Sequence, residues 1–409
     1  MTSVFGLIRR NWQALYSPPI ATKSDNALKF GVLGAANIGP LALFTPAISH
    51  PEVIVQAVAA RDVKKAQDYA KKHGIPDVKG SYQDLIDDPS IDCVYIPLPN
   101  GLHYEWTIRA LRAGKHVLLE KPSVSNAKEA EALFNLPLLR EPNAPVLLEA
   151  FHYQFQPSWA VLLSLVDRRN LAHVHAFFKI PSWTFDDNDI RFEYDLAGGS
   201  IMDLGTYTIS ALRHVIGAEA EACLECNVVK MAEPKDKCDH TFDAKFRFPN
   251  GVTGDIEGGH RGAPFPIKTP YVTVTHREVP VADANVAEGQ ETTRVRKVTL
   301  WNYLFSPIWH RIDVEDTFTI FKTSDKSVVK TWATNESRKA YTFKEGGIDQ
   351  PSEDYWMSYR HQMEQFVNKV KGRKVDHWVT SEDSIAQMRM IDMAYEKSGL
   401  GIRPSTDFK

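Results

Sequence analysis

Between residues 29 and 148 short apolar runs alternate with stretches of helical spacing. Lys29-Phe30-Gly31-Val32-Leu33 leads into a loop and a helix-like segment, and a second apolar run covers 53–60. Residues 63–73 carry helical periodicity, 91–96 read as a strand, and 103–113 as a helix closed by Gly114. Val117-Leu118-Leu119 and Val146-Leu147-Leu148 add two further strands. Such alternation predicts a parallel, doubly wound sheet. From about residue 172 the runs lengthen and alternate with period two, separated by turns such as Pro249-Asn250-Gly251. That half predicts a large, mainly antiparallel sheet. Helices are predicted over 200–215, 353–371 and 381–397, so the class is α/β followed by α+β. Residues 1–28 show no sustained period, carry Pro18-Pro19, and read as an arm.

Composition narrows the function classes. With 409 residues, 43% of them apolar, the chain can bury two sizeable cores, which excludes a disordered or fibrous protein. Lys and Arg number 48 against 51 Asp and Glu, a net charge of -3, and no basic block is long enough to track a phosphate backbone. Nucleic acid is therefore not an expected partner. No apolar run reaches the roughly 18–20 residues of a membrane helix. Val4-Phe5-Gly6-Leu7-Ile8 precedes Arg9-Arg10, the reverse of a signal peptide's order, so a cytoplasmic location with four reduced cysteines is the expectation.

Gly34-Ala35-Ala36-Asn37-Ile38-Gly39 fits G-x-G-x-x-G except that Ala36 holds the middle position. It follows the first strand and opens a helix whose N-terminal amides suit a phosphate. The alternative is a tight strand-to-helix turn without a ligand. At the end of the second strand, where an acid usually meets the ribose 2′-hydroxyl, stands Ala59-Ala60-Arg61. Arg61, with Lys65 one turn on, suits a 2′-phosphate, which points to NADP; the bland alternative is a solvated arginine.

Glu120-Lys121-Pro122 lies at the carboxyl end of a parallel strand, the edge at which such sheets bind ligands. In the helix after Gly198-Gly199, Asp203, Tyr207, Ser210 and His214 share one face opposite Ile201, Leu204, Ile209, Leu212 and Val215. Asp203 and Tyr207 are four apart and neighbours on that face, a carboxylate and a phenol suited to one substrate. The alternative is a solvated polar face; the paired glycines favour a buried cleft.

Taken in order, the glycine loop, Ala-Ala-Arg-Asp, Pro97-Leu98-Pro99-Asn100-x-x-His103, Glu120-Lys121-Pro122, Glu149-Ala150-Phe151 and Gly198-Gly199-x-x-x-Asp203-x-Gly205-x-Tyr207 resemble the Gfo/Idh/MocA oxidoreductases over roughly residues 29–400. The resemblance is strongest to the branch of NADP-dependent D-xylose 1-dehydrogenases and dimeric dihydrodiol dehydrogenases. It implies a dinucleotide-binding Rossmann domain (29–150) and a substrate and dimerisation domain (151–409), assembled as a homodimer. It further implies Lys121 and Tyr207 as catalytic and Asp203 as substrate-binding. Cofactor contacts fall to Gly34, Ala36, Asn37, Ile38, Gly39, Arg61, Lys65, Leu98, Asn100, His103, Glu120 and Lys121. Where relatives often carry an Arg and a His after Glu149-Ala150-Phe151, this chain has His152, Gln154 and Gln156, and His152 and Gln154 are expected at the substrate. The implied reaction is NADP-dependent oxidation of an aldose at C1, D-xylose to D-xylono-1,5-lactone. In it Lys121 would stabilise a Tyr207 phenolate. Oxidation of a cyclic trans-diol, or nucleotide binding without chemistry, are the alternatives.

Cys223-x-x-Cys226 with Cys238 and His240 has four potential zinc ligands, but residues three apart on a strand point to opposite faces, so no metal is expected. The aromatic run Trp301 to Phe305 with Trp309 reads as packing, and His260 and His310 as core or surface residues without a role.

Overall fold

The computed structural model describes residues 4–282 and 286–408. The first half holds β1 (Leu28–Leu33), α2 (Thr45–Ser49), β2 (Val53–Ala59), α3 (Val63–His73), β3 (Asp77–Lys79) and α4 (Tyr82–Asp87). It continues through β4 (Cys93–Ile96), α5 (His103–Arg112), β5 (His116–Leu119), α6 (Ala127–Phe134) and β6 (Leu147–Glu149). The six strands are all parallel in the order β3-β2-β1-β4-β5-β6, the doubly wound topology that the alternation predicts. Local chemistry fixes the ends of its helices. Asp62 caps α3 by accepting from the Lys65 amide, and Gly74 closes it in the left-handed conformation beside Lys71, Lys72 and His73.

After α7 (Pro157–Ser164) comes β7 (Leu171–Pro181), then α8 (Thr206–Ile216), β8 (Ala222–Lys230), β9 (Asp239–Arg247), β10 (Thr253–Gly262) and β11 (Tyr271–His276). β12 (Val279–Val281), β13 (Gln290–Trp301), β14 (Arg311–Lys322), β15 (Val328–Arg338), α9 (Ser358–Val370) and α10 (Ser381–Ser398) complete the chain. The second sheet runs β15-β14-β13-β11-β7-β10-β9-β8 with β12 beside β13, and β7 and β10 form its one parallel pair among the described residues. Residues 206–213 of α8 are all buried, because the helix lies across β7 and β10. Gly254 permits that approach: a Cβ there would drive into the Leu212 side chain.

Two expectations change. The arm contains a helix, α1 (Val4–Leu15), although its first three residues lie outside those described. Leu7, Ile8, Trp12 and Leu15 recur at helical spacing in the sequence, so the expectation of an aperiodic arm is corrected, and the helix is anchored by a charged residue. Arg10 is 2% exposed, lies 3.4 Å over the Tyr341 ring and donates to the Ile308 carbonyl at 3.0 Å. The helix read over 200–215 is broken in register: Ile201–Gly205 forms a π turn before α8 begins. No helix among the described residues is long and apolar enough to cross a membrane.

α10, opened by a Thr380/Asp383 capping box, packs on α6 and β8 and so joins the two halves. Its Asp392 accepts the Ala127 amide at 2.9 Å at the start of α6, while burial pushes the carboxyl up to about 7. The folded state thus holds a proton that the unfolded chain releases near pH 4, and this group costs stability as pH rises from there towards 7. Asp392→Asn keeps an acceptor and removes the charge. We expect its melting temperature to gain on wild type as pH rises from 5 to 8 in calorimetry; a gap that ignores pH would contradict this.

Candidate functional site

The carboxyl ends of β1, β2, β4 and β5 open on one edge of the parallel sheet, carrying respectively Gly34, Arg61, Leu98 and Lys121. Gly34 has φ +99° and a Cβ there would press on Leu98, so the glycine is required at the turn. The loop from Gly34 to Gly39 carries half-buried Ala36 and Ile38 and exposed Asn37, and Tyr69 donates to the Ala36 carbonyl at 2.7 Å. A Cβ at Gly39 would strike the Tyr69 hydroxyl, so Gly39 is also fixed by packing. Arg61 and Lys65 are exposed. The nearest acid in sequence, Asp62, is occupied in capping α3. A loop with bare backbone at both ends and an arginine beyond the second strand fits a nicotinamide dinucleotide.

Four expected cofactor contacts occupy different environments. Glu120 is buried, accepts from the Tyr95 hydroxyl at 2.7 Å, and burial raises its carboxyl above the usual carboxylate range despite Lys121. Leu98 lies under the glycine loop. Asn100 donates to the Ala197 carbonyl at 3.2 Å across the two halves. His103 is fully buried, its ring nitrogens 2.9 Å from the Pro122 carbonyl and 2.7 Å from that of Leu98. Burial pushes its imidazole down to about 4, against two acceptors that favour the charged form. The neutral ring has one N–H to donate, to one of the two carbonyls, and with both nitrogens turned to backbone oxygens His103 braces the two loops rather than facing the cleft.

At the junction of the halves, Lys121 Nζ donates to Asp203 Oδ1 at 3.0 Å and to the Asp203 carbonyl at 3.1 Å. Asp203 Oδ2 accepts from Arg191 Nε at 2.9 Å and lies 2.8 Å from His260 Nε2. Burial alone would raise the Asp203 carboxyl; Lys121, His260 and Arg191 instead hold it well below the carboxylate range. Neither Arg191 nor His260 was legible in the sequence. Arg191 sits in a polar loop with no period, and its position depends on Gly198 and Gly199, whose amides donate to the Glu193 and Arg191 carbonyls. His260, which had no expected role, is fully buried on β10 with Nδ1 2.5 Å from the Ser200 hydroxyl.

The Lys121 ammonium is 4.6 Å from the Tyr207 ring centroid, over its face and not at its hydroxyl. Burial, followed by the nearby Glu120 and Asp203, pushes the Tyr207 phenol well above 10. The expected lysine-stabilised phenolate is thus corrected: the lysine's charge is spent on Asp203, and Tyr207 carries its proton at neutral pH. The partner of its hydroxyl is His152, 3.3 Å away through Nε2. His152 is buried and stacked on Tyr359, with Nδ1 2.7 Å from the Ser358 hydroxyl. Gln154 is not brought to this cluster. It donates to Ser210 at 3.0 Å, meets His377 at 2.9 Å, and lines a separate cavity of about 310 Å³ with Arg168, Arg213 and His214. The four cysteines are free thiols; Cys223 and Cys226 lie on β8, while Cys238 packs with Phe192 and Met231.

A doubly wound sheet whose strand ends meet a lysine, a carboxylate and a tyrosine from a second, open-sheet half defines a nicotinamide-linked oxidoreductase. Residues 28–138 match the oxidoreductase family described by its NAD-binding Rossmann fold, and 170–267 match the C-terminal domain of the same family. The chain belongs to the Gfo/Idh/MocA oxidoreductase family. It is similar to D-xylose 1-dehydrogenase (NADP(+)) 2 of Haloferax volcanii, 30% identical over 390 residues, which covers 93% of this chain and 100% of that one. A trans-1,2-dihydrobenzene-1,2-diol dehydrogenase of Xenopus tropicalis is 31% identical over 205 residues, 47% of this chain and 58% of the relative. Among solved structures, a 3-ketoreductase from Actinomadura kijaniata in complex with NADP and TDP-benzene shares the fold with a TM-score of 0.68 at 24% identity, covering 91% of this chain and 98% of that one. An aldose-aldose oxidoreductase from Caulobacter crescentus, complexed with glycerol, does so with 0.65 at 18%, over 91% and 98%.

Proposed function

We propose that the protein oxidises an aldose at C1 with NADP, D-xylose to D-xylono-1,5-lactone being the first substrate to test. Residues 29–150 hold the cofactor and 151–409 the sugar. The observation that carries the reading is the meeting of Lys121, Asp203 and Tyr207 at the carboxyl edge of the parallel sheet. The match to a D-xylose 1-dehydrogenase along nearly the whole chain supports it. Held by residues 29–150, NADP in its oxidised form would supply the acceptor for the hydride, the C1 hydrogen with the electron pair of the C1–H bond. The proton of the C1 hydroxyl goes to the Tyr207 oxygen as the phenol gives up its own proton, and the C1 hydroxyl oxygen becomes the lactone carbonyl. Asp203, fixed by Lys121, Arg191 and His260, is an ionised acceptor for a sugar hydroxyl. The cluster is part-buried, with Lys121 and Asp203 side chains 11% and 19% exposed, so these contacts act in a weakened dielectric. The half-exposed face of the second sheet, where β7 and β10 present His175, Lys179, Asp255 and Glu257, supports a homodimer through that face.

Purified protein mixed with NADP and D-xylose should reduce the cofactor, read by absorbance, with lactone as product. No turnover of any aldose while a cyclic trans-diol is oxidised would favour the dihydrodiol reading, which the Xenopus relative supports. Dinucleotide binding without turnover of either would favour a regulator.

Cofactor preference rests on Arg61. A charge-assisted hydrogen bond contributes roughly 1.5–3 kcal/mol, so NADP is expected to exceed NAD in kcat/KM by at least about tenfold. Arg61→Ala should remove most of that preference through NADP alone, because NAD offers the guanidinium no phosphate. Equal damage to both cofactors would make Arg61 a packing residue.

A further inference from the structure

Resting on the reading of Tyr207 as the group that takes the substrate proton, we propose that His152 is the positioning residue behind it, accepting the phenolic proton of Tyr207 as Tyr207 accepts that of the substrate. Most buried phenols donate their proton to a partner. The nearby carboxylates are engaged: Asp203 with Lys121, Arg191 and His260, Glu120 with Tyr95 and the Lys121 amide. What remains is His152 Nε2, 3.3 Å from the Tyr207 oxygen. For Nε2 to accept, the ring must be neutral with its proton on Nδ1. The second contact suits this, since Nδ1 lies 2.7 Å from the Ser358 hydroxyl. Tyr359 holds the ring plane, stacked at 4.0 Å between centroids. Burial and Lys121 push the imidazole down to about 3, so it is neutral with Nε2 free in the resting site, and it takes up a proton only in the step in which the positive charge of the nicotinamide would be lost.

The arrangement answers a difficulty that Tyr207 alone leaves. A phenol pushed above 10 is almost wholly protonated at neutral pH and has no vacancy for a second proton. With His152 behind it, the substrate O–H bond breaks, a new O–H bond forms at Tyr207, and the original phenolic O–H bond breaks as an N–H bond forms at Nε2. Phenolate never accumulates. His152 ends the step as imidazolium, replacing the positive charge that hydride uptake removes from the nicotinamide.

Two variants separate proton uptake from packing. His152→Gln offers an oxygen to the Tyr207 hydroxyl but takes up no proton, and His152→Phe keeps only the ring stack. Wild-type kcat/KM is expected to be nearly level from pH 6 to 9. Both variants should fall about 10- to 100-fold at pH 7 and recover towards high pH, close to tenfold per unit, because only phenolate then serves as base. In a Tyr207→Phe background His152→Gln should cost nothing more. Variants whose pH profile overlays that of wild type, scaled down, would overturn the proposal. A second readout needs no turnover: ¹⁵N NMR of histidine-labelled protein, with His152 assigned by its loss in His152→Gln. Nε2 should be unprotonated at pH 7 and move towards the free-acceptor position in Tyr207→Phe. A proton on Nε2 would overturn the proposal even if the substrate proves not to be an aldose, and the expected shift would stand if xylose itself fails.

Discussion

Tyr207→Phe is expected to lower turnover by at least about 10²-fold, the range for loss of a general acid or base, while NADP affinity stays within a few-fold. The substitution removes one oxygen from a ring that is otherwise packed on Phe151, Tyr153 and Phe178, so the fold has little reason to respond. The oxygen's partner in the structure is His152, not the glycine loop, which is why cofactor binding should be spared. Stopped-flow turnover beside a fluorescence titration with NADP measures both. A variant that turns over at a near-normal rate would take Tyr207 out of the chemistry.

The second large effect is expected at Asp203. Asp203→Ala leaves Lys121 and Arg191 without their shared carboxylate, and breaking such a buried pair typically costs about 3–5 kcal/mol. Urea unfolding should therefore show a lower midpoint together with loss of at least about 10²-fold in kcat/KM, as the acceptor for the sugar disappears with the anchor of Lys121. The pH dependence has a definite sign. Because the folded carboxyl is held well below 3.8, its contribution is complete above the unfolded value and is lost only as pH falls through the folded one. The stability gap between Asp203→Ala and wild type should accordingly be level from pH 5 to 8 and close in stronger acid. Unchanged stability at neutral pH would show that the cluster does not hold the two halves together.

Much of this molecule is written locally. Periods of two and 3.6 are properties of neighbouring residues, so five of the six strands of the parallel half and the antiparallel character of the second were legible, as was the chemistry of short signals; β3, three residues long, carries too few positions to show a period. Gly34 opens the loop after the first strand, Gly114 closes a helix, and Glu120-Lys121-Pro122 ends a strand at the ligand edge of the sheet. The spacing of Asp203 and Tyr207 made them neighbours, and the resemblance to the family set Lys121 beside them, although the π turn that holds Asp203 was hidden. A π turn is one residue's change of hydrogen-bond register and leaves the apolar stripe almost intact.

Partnership across long sequence separation is what only the tertiary structure decided. Arg191 and His260 reach Asp203 from a loop and a sheet strand, and Ser358 reaches His152 from the start of α9. No local pattern encodes those meetings, because each depends on how α8 lies across β7 and β10. The same packing reversed two local readings. Lys121, which the resemblance sets beside a phenol to stabilise its phenolate, does lie against the Tyr207 ring but gives its charge to a carboxylate, since opposite charges close together outweigh a cation above a ring. Gln154, two residues from His152, turns to Ser210 and His377, because neighbours in a tight 3₁₀ segment, His152–Phe155, point to different sides. The sequence by itself determined which elements form and which groups carry chemistry. The protonation states and partners of those groups were set by burial and by contacts between distant segments, quantities that exist only once the chain has folded.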